Sequence, residues 1–170
     1  MNITDTFIEG KNRPIIFPLS VIWGGGKIKL EINFNNDGIL TKYSLAYINS
    51  RYCKRDNGRL IGIDSEHPGH PSDCPHIHRC GNTSNIRKDI TLSDIMKMFV
   101  TLVGKIIMHI KNNSSSIKES LTEEAKTIID QIPGFNQFLT SAESLIEKAE
   151  IGRLKAIEYY KNNPDAPFLD

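Results

Sequence analysis

The period of the apolar residues changes once along this chain, from two to about 3.6 near residue 90, and that change limits the fold more than any other feature. In "GGGKIKLEINF", Ile28, Leu30, Ile32 and Phe34 alternate with Lys27, Lys29, Glu31 and Asn33. Side chains of a strand point to opposite faces in turn, so this pattern predicts a strand with one buried face. Asn36-Asp37-Gly38 follows, and residues that tolerate positive φ mark a hairpin turn. The chain returns as "ILTKYSLAYIN", turns again at Asp56-Asn57-Gly58, and enters the short strand "RLIGID". A loop containing Pro and Gly leads to "CPHIHRCG", which completes an antiparallel meander of about four strands. Residues 1 to 20, with "PIIFPL", suit either an irregular arm or a first edge strand.

Beyond residue 90 the pattern is helical. Thr91, with Asp94 three residues on, has the form of an N-cap with an acidic first turn. Leu92, Ile95, Met96, Phe99, Leu102, Val103, Ile106 and Ile110 then form a broad stripe able to cover the sheet, with Met98 and Met108 as further core filling. "KNNSSS" ends this helix. Ser116 and Glu119 form a capping-box pattern before a second helix carrying Leu121, Ala125, Ile128, Ile129 and Ile132. Pro133-Gly134 breaks it, and a third helix is expected from about Thr140 to Lys161. The fold class is α+β: an antiparallel meander on a long core helix, then a C-terminal helical extension. The expected division is an α+β domain over 1–113 and a helical segment over 114–170 that joins two copies of the chain or contacts a partner.

Charge is unevenly spread. From Ile117 onward ten acidic residues face six basic ones, whereas the first 116 residues hold 15 basic against 10 acidic. A basic front suits an anionic partner; ordinary solvated faces give the same imbalance by chance. The N-terminus lacks the apolar core of a signal peptide, and "IMKMFVTLVGKIIMHI" is interrupted by Lys97, Lys105 and His109. A cytoplasmic protein without a membrane span is the expectation. Cys53, Cys74 and Cys80 make an odd count, read as reduced thiols with Cys53 exposed.

The stretch "HPGHPSDCPHIHRC", residues 67–80, concentrates four of the five histidines. If residues 74–80 are extended, Cys74, His76, His78 and Cys80 share one face, with same-face neighbours about 6.6 Å apart. Ile77 and Arg79 then share the other. Three readings follow. His67, His70, His76 and His78 offer ligands for zinc or another divalent transition metal, although the spacing is not that of a zinc knuckle. His76 and His78 alternatively act without metal as a general acid and base, since imidazole titrates near neutrality. The third reading is a polar sheet-surface cluster serving structure or binding, in a non-catalytic module for a partner or nucleic acid. Asp64, at the end of the preceding strand, is placed to orient either histidine, with Glu66 the nearest other carboxylate. Arg51, Tyr52, Lys54, Arg55 and Arg59 crowd one hairpin tip; cations around an aromatic suit an RNA backbone and an unstacked base, and exposed tips are also commonly charged. Gly24-Gly25-Gly26 precedes a strand, so it does not have the context of a phosphate loop. His109 is read as structural.

"KYSLAYI", "RLIGIDSEH", "PHIHRCG" and "ITLSDIMKMFVTLV", in this order over roughly residues 27–110, resemble the TumE-like family of small bacterial toxin-antitoxin proteins. Asp64 matches the family's aspartate, and His76 and His78 match its paired histidines. Ser65 stands where asparagine is usual, and the intervening loop is longer. The resemblance implies a toxin paired with a helix-turn-helix antitoxin and a ribonuclease-like or translation-targeting activity. In a metal-independent endoribonuclease of this kind, His76 and His78 serve as base and acid on RNA. Arg79, Arg55 or Lys54 then stabilises the phosphorane.

Overall fold

The computed structural model describes residues 14–65, 75–87, 89–112, 122–167 and 169. Six strands form one antiparallel sheet in sequence order: β1 (Ile15–Pro18), β2 (Lys27–Phe34), β3 (Leu40–Ile48), β4 (Arg59–Ser65), β5 (Pro75–Arg79) and β6 (Asn82–Asn85). Helices α1 (Leu92–Asn112), α2 (Thr122–Asp130) and α3 (Phe135–Asn162) follow. The expected α+β order is present with six strands instead of about four: β1 is the first edge strand that residues 1 to 20 left open, and β6 is additional. β1 alternates buried Ile15 and Phe17 with exposed Ile16 and Pro18, and as an edge strand it tolerates proline. β6 is "NTSN", exposed throughout, and joins the sheet through its backbone pairing with β5. α3 begins at Phe135, five residues before the expected start.

The β2–β3 turn is held by Asn35, whose Oδ1 accepts from the backbone N–H groups of Asp37 and Ile39 at 3.0 and 2.9 Å. Gly38 supplies the positive φ of 70° that the turn requires. Register then aligns Ile28 with Tyr47, Leu30 with Leu45 and Ile32 with Tyr43 on the inner face. Phe99, Val103 and Ile107 of α1 and Phe138, Ala142 and Ile146 of α3 pack there, all buried. Thr91 caps α1 as expected: its Oγ1 accepts from the Asp94 N–H at 3.1 Å.

The apolar side chains of α2 and α3 belong to this same core. Ala125, Ile129 and Ile132 are buried, and Gly104 of α1 lets α2 approach so closely that a Cβ there would lie 2.8 Å from the Ala125 Cβ. Phe17 of β1 meets the rings of Phe135 and Phe138, each with a centroid separation of 5.4 Å. Residues expected to join two copies are thus largely spent within one chain. The capping-box pair Ser116 and Glu119, and Leu121, lie outside the described residues.

A second correction concerns the cysteines. Cys53 is buried, not exposed, and forms a disulfide with Cys80, with Cα atoms 5.7 Å apart. The pairing is a product of tertiary register: the segment after β3 folds over the β5–β6 turn, which local sequence does not reveal. Cys80 has φ 44° in that turn, so it leaves the strand and does not share the histidine face. Cys74 lies outside the described residues. No helix among the described residues is long and apolar enough to cross a membrane.

Candidate metal centre

The inner face of the sheet is closed by helices, so chemistry on polar strand residues belongs to the outer face. β4 and β5 pair so that Asp64 stands opposite His76 and Gly62 opposite His78. Strand alternation puts all four positions on the outer face, and Ile61, Ile63 and Ile77 on the core side. Here the expected strand geometry holds: Asp64, His76 and His78 come together.

They come very close together. Asp64 Oδ1 lies 2.8 Å from His76 Nε2 and 3.3 Å from His78 Nε2, and the two Nε2 atoms are 2.9 Å apart. Despite these distances, Asp64 Oδ1 is buried and accepts no aligned hydrogen bond. Three electron-pair donors therefore face one point. Ligand atoms about 2.0–2.2 Å from one ion are separated by roughly 2.8–3.6 Å, depending on octahedral or tetrahedral angles. The observed triangle fits that range. The three side chains are 11–16% exposed, so the point is shielded yet reachable from solvent.

The outer ring of the site is also built. Arg59 Nη1 donates to Asp64 Oδ2 at 2.6 Å, fixing the carboxylate with its other oxygen turned to the histidines. Gly62 makes room for this, since a Cβ there would lie 2.5 Å from the Arg59 Cδ. Asp56 Oδ2 lies 3.0 Å from His78 Nδ1 and 3.8 Å from Arg59 Nε. Carboxylate, imidazole and ligand atom in sequence is the usual way to set the tautomer of a metal-binding histidine. Two carboxylates and one guanidinium surround the two rings, a balance of side chains that suits a cation. Along the same face, Lys29 holds the Glu31 carboxyl below its ordinary range, opposing the effect of burial, with Lys42 adding to the depression.

Other expected site residues lie elsewhere. Arg59, expected at the exposed basic tip, instead reaches inward to Asp64 and Asp56. Arg51, Tyr52, Lys54 and Arg55 do crowd an exposed tip, with the Arg51 guanidinium 5.7 Å from the centre of the Tyr52 ring. Arg79 pairs opposite Ile61, which puts it on the helix side of the sheet, away from the histidines. His67, His70 and Glu66 lie outside the described residues. Asp56 was read only as a turn residue. Its carboxylate reaches His78 because Asp56, Asn57 and Gly58 all have positive φ, a geometry with no clear sequence signal beyond Asp-Asn-Gly itself.

Comparison with protein-family models, with curated proteins and with solved structures finds no match to this chain.

Proposed function

We propose that this chain is a metal-dependent hydrolase of phosphodiester bonds, with single-stranded RNA as its substrate class and Asp64, His76 and His78 as the ligands of one divalent transition metal. The observation that carries the reading is the triangle of Asp64 Oδ1 and the two Nε2 atoms, with edges of 2.8–3.3 Å. An acid–base pair flanking a phosphate needs its nitrogens roughly 5 Å or more apart, to admit two phosphate oxygens and two hydrogen bonds. At 2.9 Å nothing fits between them. Two histidines and a carboxylate leave coordination positions open, and an ion so held supplies Lewis acidity and acidifies water. Arg59 and Asp56 keep two ligands oriented, while Arg51, Lys54 and Arg55 offer charge to a phosphate backbone and Tyr52 offers a stacking face.

Elemental analysis of the purified chain, with cleavage of a labelled RNA, tests this. The expected result is about one zinc or similar ion per chain, lost in His76→Ala and Asp64→Ala, with cleavage abolished by chelator and restored by metal. Cleavage should also survive a 2′-deoxy substitution at the cut site, because the nucleophile is water. Undiminished cleavage in chelator, dependent on the 2′-hydroxyl, would overturn the metal reading and restore His76 and His78 as acid and base.

The toxin role and the helix-turn-helix antitoxin are proposals that rest on the sequence alone, and the Cys53–Cys80 disulfide argues against the cytoplasmic location expected with them. Growth arrest on induction, absent with Asp64→Ala, is the corresponding assay for the toxin role. Of the apolar residues on α3, Ile151, Leu154 and Ile157 stay exposed and are the surface a homodimer would use.

A further inference from the structure

On the helix side of the sheet, behind the metal centre, a cavity of about 560 Å³ opens between the ends of β4 and β5 and the C-terminal half of α1. Its volume lies in the range of small-molecule sites. Leu60, Ile61, Leu102, Ile106 and Ile110 give it an apolar lining, and Cys80 of the disulfide contributes one wall. Two cations line it as well: Arg79 from β5 and Lys105 from α1. Neither forms an ion pair with a carboxylate among the described residues; Arg79 has only a 3.5 Å contact to Ser84 Oγ. His109, one turn beyond Lys105, lines the same cavity, and its Nδ1 is buried with no hydrogen-bond partner.

We infer that this cavity binds a small amphipathic anion, an apolar body carrying one carboxylate. The body lies along the α1 residues, and Arg79 and Lys105 meet the carboxylate. Charge complementarity identifies the ligand class, because two cations line an apolar cavity that has no acidic side chain among its described lining residues. The site does not depend on the metal reading, since none of its residues lies on the outer face.

Titration of the full chain with decanoate, followed by calorimetry and by displacement of the fluorescent sulfonate 8-anilinonaphthalene-1-sulfonate, tests the inference. One saturable decanoate site per chain is expected. Affinity should fall at least tenfold in the doubly substituted Arg79→Gln/Lys105→Gln protein, and decanol should bind at least tenfold more weakly than decanoate. Leu102→Trp, which fills the cavity, should abolish binding, while His76→Ala should leave it unchanged. No saturable binding would overturn the proposal. So would equal affinity for decanol, or binding that persists in both the charge-neutralised and the filled variants. Arg79 and Lys105 sit towards the surface, so their substitution keeps the test valid if Leu102→Trp fails to fold.

Discussion

At the scale of single residues, the candidate centre depends on two side chains that touch no substrate. Arg59 donates to Asp64 Oδ2, and Asp56 Oδ2 lies 3.0 Å from His78 Nδ1, so each stands behind one member of the triangle. Removing such a partner commonly lowers metal affinity 10–100-fold. Asp56→Ala is expected to weaken zinc binding by that factor, measured by competition with a chromophoric chelator, with thermal unfolding of the metal-free protein nearly unchanged. Unaltered affinity would mean that Asp56 is only part of the turn. The nearness of Asp64, His76 and His78 was legible in the sequence, because strand alternation puts His76 and His78 on one face and a preceding strand offers Asp64. Asp64 as a candidate ligand was not, since its place suggested an orienting role and the metal reading drew on His67 and His70 instead. Nor were the supports of the triangle. Asp56 arrives through consecutive left-handed residues, and Arg59 crosses the sheet only because Gly62 has no side chain in its way.

At the scale of elements, the disulfide links two pieces of the site. Cys53 lies three residues before Asp56, and Cys80 lies two after His78. Joining the β3–β4 connection to the end of β5 fixes the carboxylate relative to the imidazole. A loop of this length gives a chain-entropy contribution of about 3–4 kcal/mol. Cys53→Ser/Cys80→Ser should therefore lower unfolding stability by a few kcal/mol and weaken metal binding through the freed Asp56. Denaturant unfolding and the chelator competition read the two effects separately. Stability lost with metal affinity intact would show that the bond supports the fold alone. The expectation of reduced thiols failed because cysteine counts and spacings carry no information on a contact across 27 residues of sequence. Strand β6 has no sequence signal for a related reason: four exposed polar residues leave no periodic trace, and their pairing with β5 is mainly through the backbone.

At the scale of the whole molecule, the division expected near residue 113 separates parts that share one core. The periodicities of α2 and α3 were correctly legible as amphipathic, but an amphipathic stripe does not say which surface it covers. Here Ala125 and Ile129 pack on α1 at Gly104, Phe135 and Phe138 enclose Phe17, and Gly152 brings α3 against the β2–β3 hairpin, where a Cβ would lie 2.9 Å from the Gly38 carbonyl oxygen. Leu92, Phe99 and Val103, and the inner faces of Leu40 and Tyr43, belong to the cluster that these helices complete. A chain ending at residue 113 would expose that surface to water, at about 25 cal/mol for each Å² of apolar area. Total stability of a domain this size is about 5–15 kcal/mol, so losing the cover from two helices removes most or all of it. The truncated chain is expected to lose its near-ultraviolet circular dichroism and its cooperative thermal transition, and to aggregate. A sharp transition with native-like spectra in that truncated chain would instead establish residues 1–113 as a folding unit and return the helices to a role between molecules.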